Sequence, residues 1–218
     1  TTPILGGVIL IINYFFFLIY QIVFLNNFLL IELDLYKLRE IVGILILIFG
    51  FFFLGLYDDK YNLSPTKKLF FSLILILIAI SLNQILKIQY LNTSFYTNTI
   101  FLENFSTIFT IFCFIILVNS LNFYDGINGQ SCLFFIIAFT FLYIISGKNE
   151  FYLFNIFFLL TILLLNLKNK LFFGDGGIFF LSTIISVSFI YEYNVEKNIK
   201  FVEEIFFLLL LPGFDLVR

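Results

Sequence analysis

The chain has 218 residues, 61% of them hydrophobic and 12% charged, with a mean hydropathy of +1.09. Soluble domains are about 45–50% apolar and about 25% charged, so a water-soluble globule is excluded, and most of the 35 Phe side chains must face lipid or other membrane helices. A formal net charge of −2 without a basic stripe excludes nucleic acid as a partner.

A helix needs about 20 residues to cross about 30 Å of hydrocarbon. Apolar runs near residues 8–31, 41–56, 69–86, 105–118, 133–146, 151–166, 178–191 and 201–212 therefore predict about eight transmembrane helices. The expected fold is all-α, a polytopic membrane helix bundle. The runs are continuous rather than alternating, which argues against a β-barrel. The chain opens Thr1-Thr2-Pro3 and stops at Arg218 just after an apolar run. It is expected to be one transmembrane domain over residues 1–218, cut at both ends, with activity expected of the full-length parent rather than of the fragment. Cys113 and Cys132 lie in or beside apolar runs without metal or redox spacing and read as packing residues.

Each crossing flips the chain to the other side of the membrane, so the connections sort by parity. The side of Thr1 receives residues 57–68, 119–132, 167–177 and 213–218; the opposite side receives 32–40, 87–104, 147–150 and 192–204. Asp58, Asp59, Asp125, Asp175 and Asp215 all fall on the first side, whereas Asp34 and all eight Glu fall on the second. Glu on the second side stands in mixed-charge stretches such as Glu192 to Lys197 and reads as solvated loop surface. Asp on the first side stands among Gly, Asn and aromatics and reads as a site. Lys and Arg divide six and six, so the positive-inside rule does not orient the chain. Net charge, +1 against −3, leans toward a cytoplasmic first side.

Four segments carry that site. Asp58-Asp59 ends the second run, with Pro65, Lys67 and Lys68 ahead of the third. Adjacent carboxylates repel unless a cation or proton lies between them; a plain acidic loop is the alternative. Asn119 to Gly129 joins two glycines, amides and Asp125 at a span end. Those hard oxygens suit Mg²⁺, and a helix stop is the alternative reading. Phe172-Phe173-Gly174-Asp175-Gly176-Gly177 places a Gly-rich turn before an apolar helix, where unpaired amides favour phosphate. Asp175 would repel that phosphate unless a metal bridges them. Pro212 to Arg218 sets Asp215 and Arg218 at the last span end. Several carboxylates with few bases imply Mg²⁺ polarising a diphosphate for displacement, with Lys67 or Lys68 steadying the remaining charge. Serine- and zinc-type hydrolysis are disfavoured by the absence of His.

In this order the segments resemble the polyprenyl-phosphate N-acetylhexosamine-1-phosphate transferases, the glycosyltransferase family 4 type that includes phospho-N-acetylmuramoyl-pentapeptide transferase. Thr2 to Gly7 looks like the first Pro-x-x-Gly-Gly motif and Asp58-Asp59 like the Asp-Asp motif. Asn119 to Gly129 is similar to Asn-x-x-Asn-x-x-Asp-Gly-x-Asp/Asn-Gly, Phe172 to Gly177 to Phe-x-Gly-Asp-x-Gly, and Pro212 to Arg218 to a Pro-x-x-Asp region. The resemblance implies transfer of a sugar 1-phosphate, GlcNAc-1-phosphate by default, from a UDP-N-acetylhexosamine to a polyprenyl phosphate such as undecaprenyl phosphate, releasing UMP. It implies Mg²⁺, with Mn²⁺ as the alternative ion. It also implies a multi-pass bacterial inner (plasma) membrane protein with a cytoplasmic active site, serving a surface polysaccharide or cell-wall pathway, with a homodimer as a compatible state.

Residue by residue, the resemblance makes Asp58, Asp59 and Asp125 catalytic. Asp58 is then the candidate base or organiser of the attacking phosphate, and Asp125 and Asp175 are metal ligands. Lys68, Asn119, Asn122, Asn128, Phe172, Gly174, Asp215 and Arg218 bind substrate, with Phe172 stacking on uracil. Two departures stand out: Asn128 replaces an Asp found in many members, and Ile178 stands where Ser often follows. The Leu-Ser-Pro-Thr-Lys-Lys-Leu stretch after Asp58-Asp59 and the Asp-then-Arg ending tilt the reading toward a surface-polysaccharide initiator over the peptidoglycan enzyme. The alternative class is a cation-coupled transporter, which would place its carboxylates near mid-membrane on broken helices.

Overall fold

Helices follow the apolar runs closely. The computed structural model describes residues 6–25 and 35–217, with side chains over 6–17 and 38–215. Thr1–Leu5 and Arg218, which carry parts of the first and last motifs, lie outside the described residues. In chain order the helices are α1 (Gly6–Leu25), α2 (Leu35–Tyr61), α3 (Pro65–Leu82), α4 (Ser106–Tyr124), α5 (Gln130–Ile145), α6 (Glu150–Leu167), α7 (Gly174–Asn194), α8 (Val202–Leu208) and α9 (Leu210–Val217). Among the described residues α2, α3, α4, α6 and α7 are long and apolar enough to cross a membrane, and α1 and α5 contribute shorter apolar helices. The fold is an all-α polytopic bundle, as expected.

The eighth run departs from a single crossing. It is split at Leu209 into α8 and α9. Pro212 has no amide hydrogen and its ring collides with the carbonyl four residues back, at Leu208, so the helical ladder is interrupted there. The third helix stops at Leu82, short of residue 86. Asn83 leaves the helix and is buried, donating to the Glu40 carbonyl at 3.2 Å and accepting from the Ile85 amide at 2.9 Å. The connection over 87–104 holds a small antiparallel hairpin, β1 (Tyr90–Leu91) with β2 (Ile100–Phe101), in register Tyr90 with Phe101.

α7 is the axis of the bundle, packing against α1, α2, α4 and α5. Its apolar window is 78% buried, against 22–39% for the other spans. It is also the least apolar span, and Gly176, Gly177, Ser182, Thr183, Ser186 and Ser188 are all buried on it. Small residues let helix backbones approach closely where lipid supplies no drive to associate. Phe53, Phe70 and Phe112 stay exposed on α2, α3 and α4, where lipid would cover them.

One reading of the second side needs correction. Glu192 is not solvated loop surface; it is 1% exposed. The last turn of α7 points it inward, where it accepts from the Tyr152 hydroxyl at 2.8 Å and the Asn198 amide at 2.7 Å. Those two donors let a charged group lie within apolar packing.

Candidate active site

The connections that parity assigns to one side are the ones that meet. α2 continues through Asp58-Asp59 to Tyr61 rather than ending before them. Consecutive helical residues project about 100° apart, so the two carboxylates separate. Asp58 is buried and accepts from the Leu63 amide at 2.8 Å, which folds the turn into α3. Pro65 then opens α3 at its first position, where a missing amide hydrogen costs nothing. One helical turn onward, Lys68 ion-pairs with Asp58 and lies 3.4 Å from Asp175 Oδ2. Its ammonium thus lies between carboxylates from α2 and α7. Lys67 is exposed and forms no ion pair among the described residues.

Asp59 does something different. Its two oxygens accept from the backbone amides of Asp175 at 2.9 Å and Gly176 at 3.1 Å. A carboxylate at a helix N-terminus satisfies orphan amides and faces the positive end of the helix dipole. Asp59 therefore fixes the start of α7 and, with it, the residue that carries the Asp175 carboxylate. The mouth of α7 is fixed from a second direction by the glycine pair of the first motif. Gly6 and Gly7 donate to the carbonyls of Phe172 and Phe173 at 3.0 and 3.2 Å. Gly174 there has φ +66°, a left-handed conformation that favours glycine.

The Asn119–Gly129 segment closes another edge. Asn128 hydrogen-bonds Asn169. Gly129 donates to the Asn166 side chain at 2.5 Å, and Asn166 donates to the Leu171 carbonyl at 2.9 Å. Asn166 is not among the residues that the motifs single out, although an amide interrupting the apolar end of α6 is a signal of such a role. It ties the α4–α5 turn to the loop that leads into α7. Gln130 reaches Asp215 Oδ2 at 3.5 Å, bringing α9 to the same end of the bundle. Asn119 is turned onto its own helix, donating to Ile115 at 2.7 Å, and Asn122 is half-buried. Phe172 is half-buried, with a face still available.

Lys68 pairs with Asp58 and Asp175, so the four motif carboxylates Asp58, Asp59, Asp125 and Asp175 stand against one paired ammonium. The Asp125 carboxyl is pushed up to about 6, chiefly by loss of water around it and further by Asp59, with Ser131 pulling the other way. Asp125 is exposed as a residue, so solvent screening tempers that push without reversing it. Among the described residues no three carboxylate, imidazole or thiol groups converge to enclose an ion. The donor set suits a hard cation held by one or two carboxylates and by waters, not one held in an all-protein cage.

No curated protein matches the chain. The model of one family, described as Glycosyl transferase family 4, matches residues 41–192, a stretch containing Asp58-Asp59, the Asn119–Gly129 segment and Phe172 to Gly177. With those three segments gathered at one end of an apolar helix bundle, the chain belongs to glycosyl transferase family 4 and is a membrane transferase of sugar phosphates.

Proposed function

We propose that the protein transfers an N-acetylhexosamine 1-phosphate, GlcNAc-1-phosphate first among candidates, from a UDP-sugar to undecaprenyl phosphate. The observation that carries this reading is the Lys68 ammonium lying between Asp58 and Asp175 at the mouth of α7. A cation flanked by carboxylates at the ends of membrane helices can receive a lipid phosphate arriving along the bilayer and a nucleotide diphosphate arriving from water. A non-bridging oxygen of the lipid phosphate attacks the β-phosphorus. The bond from that phosphorus to the bridging oxygen breaks, and UMP leaves with the electron pair. A phosphate nucleophile needs little proton abstraction near neutral pH, so Asp58 and Lys68 serve to orient it and balance its charge.

Asp125 and Asp175 would hold Mg²⁺, with Mn²⁺ as the other fitting ion. When bound, the ion would supply charge neutralisation on the diphosphate. Phe172, Asn122 and Asn128 would contact the nucleotide, and Lys68, Asn119, Gly174, Asp215 and Arg218 the remaining phosphate and sugar groups. The site would face the cytoplasm of a bacterial inner membrane, at the first membrane step of a surface polysaccharide or cell-wall pathway. The helix-end position of the carboxylates disfavours a transporter, which would bury them at mid-membrane.

The test is UMP release from a panel of UDP-N-acetylhexosamines by membranes carrying the full-length protein, with and without undecaprenyl phosphate and Mg²⁺. Release is expected to need both and to vanish in Asp175→Ala; a folded protein that releases no UMP from any donor overturns the reading. Within the Asp-Asp pair the two roles should separate. Asp58→Asn is expected to cut turnover by about 10²-fold, as for a misplacement of about 1 Å of the Lys68 ammonium that it holds. Asp59→Asn keeps one of the two acceptors for α7 and sets an NH2 against the other amide, so it should lose part of the cap and less turnover than Asp58→Asn, whereas Asp59→Ala should lose about 0.5–2 kcal/mol of stability with the whole cap. Equal kinetic loss in both Asn variants would remove the distinction.

A further inference from the structure

At the opposite end of the bundle a cavity of about 800 Å³ lies between the β1–β2 hairpin and the turn after α7. Its floor is built, not loose. The Tyr90 and Tyr193 rings lie 5.2 Å apart, and each hydroxyl donates to the other residue's carbonyl at 3.2 Å. Tyr193 also accepts from the Asn92 amide at 2.8 Å, and the Asn92 carbonyl accepts from Val202 at 3.0 Å. Hydroxyls and amides from residues 92–99 line one wall, with exposed aromatic rings at Tyr96 and Phe101.

The charges around this groove are sorted. Carboxylates near it hold donors of the chain itself: Glu203 Oε1 accepts from the Ser94 amide at 2.8 Å, its buried Oε2 having no partner among the described residues, Glu204 accepts from the amides of Lys200 and Phe201, and Glu196 from the Tyr191 hydroxyl. Glu192 is buried beneath. Among the described residues no carboxylate lines the cavity, whereas Lys197 and Lys200 do. Both are exposed, and neither forms an ion pair among the described residues. Two such ammonium groups beside many hydroxyls, amides and aromatic faces match an anionic phosphate that carries a polyol. The cations meet the phosphate, the hydroxyls and amides meet the polyol, and the rings meet its C–H groups. Phe95, Tyr96, Phe101 and Phe105 are exposed at this end, and the amphipathic Tyr96 ring is of the kind that sits at the headgroup level of a bilayer.

We infer that this groove is a second binding site, distinct from the carboxylate end, for a phosphate-bearing polyol headgroup. A phosphatidylglycerol headgroup and free glycerol phosphate share that chemistry. The protein, purified into nanodiscs of equal phosphatidylglycerol and phosphatidylcholine, would be released and its retained lipids counted by native mass spectrometry. Wild type is expected to retain phosphatidylglycerol over phosphatidylcholine. The preference should fall roughly 30-fold in Lys197→Gln/Lys200→Gln, the scale for two surface cations against anionic headgroups, and return in Lys197→Arg/Lys200→Arg. The Arg variant also controls for folding. Displacement by added glycerol phosphate would mark the headgroup alone as sufficient ligand; persistence would mark the membrane lipid. Equal phosphatidylglycerol preference in wild type and the Gln variant overturns the proposal.

Discussion

Lys68→Met is expected to lower turnover by about 10²–10³-fold, the cost of removing one preorganised charge from a transition state, and to destabilise the fold as well. Asp58 is 6% exposed at its side chain and Lys68 16%, so deleting the cation strands a carboxylate out of water. Breaking such a pair costs about 3–5 kcal/mol, with the lower figure apt here because Asp175, at 32% exposed, stays partly solvated. The double variant Lys68→Met/Asp58→Asn separates the two effects. The introduced asparagine would still accept from the Leu63 amide but carry no charge to strand, so stability should largely return. Turnover should not, because the ammonium proposed to receive the lipid phosphate is gone. Thermal unfolding in detergent and UMP release, read on the same preparations, give the two answers. Wild-type turnover in Lys68→Met would refute the central place given to this ammonium.

Much of this end of the molecule could be read from the sequence because it rests on rules of length and parity. Apolar runs mark crossings, crossings sort the loops, and the sorting leaves Asp58, Asp125, Asp175 and Asp215 on one side. The contacts of Lys68 with Asp175 and of Gln130 with Asp215 follow that partition. What escapes such rules depends on rotation about a helix axis. Whether α2 ends before Asp58 or after Tyr61 decides if the Asp pair shares one partner or takes two, and apolar counting is blind to that turn. Glu192 escapes for the same reason: its mixed-charge neighbours follow the end of α7, while the residue itself faces Tyr152. Asn166 is legible only as an interruption, since its two partners, Gly129 and Leu171, belong to different connections. The break at Leu209 is within reach of the sequence, because Pro212 forbids the helical bond that a twelve-residue apolar run suggests.

Gly55→Ala is expected to abolish activity, although alanine is the better helix former by about 1 kcal/mol. A Cβ at Gly55 would lie 2.5 Å from the Asp175 carbonyl oxygen and 2.6 Å from the Gly176 Cα. Both are backbone atoms of α7, and neither can rotate away. α2 and α7 must then separate, which pulls Asp59 from the amides it caps and moves Asp175 relative to Lys68. A displacement of about 1 Å at a reacting centre can cost about 10²-fold, and loss of the cap adds to it. Gly50→Ala on the same helix is the control. Its Cβ would meet Leu75 Cδ2 at 2.5 Å, but that atom ends a flexible side chain that can change rotamer. Gly50→Ala should therefore fold and turn over nearly as wild type, with the helix-propensity gain offsetting the repacking. UMP release and thermal unfolding of the two variants side by side test the seam. Matching losses would mean that α2 tolerates no added methyl at all. Loss at Gly55 alone would show that the site depends on how closely the Asp-Asp helix approaches the mouth of α7.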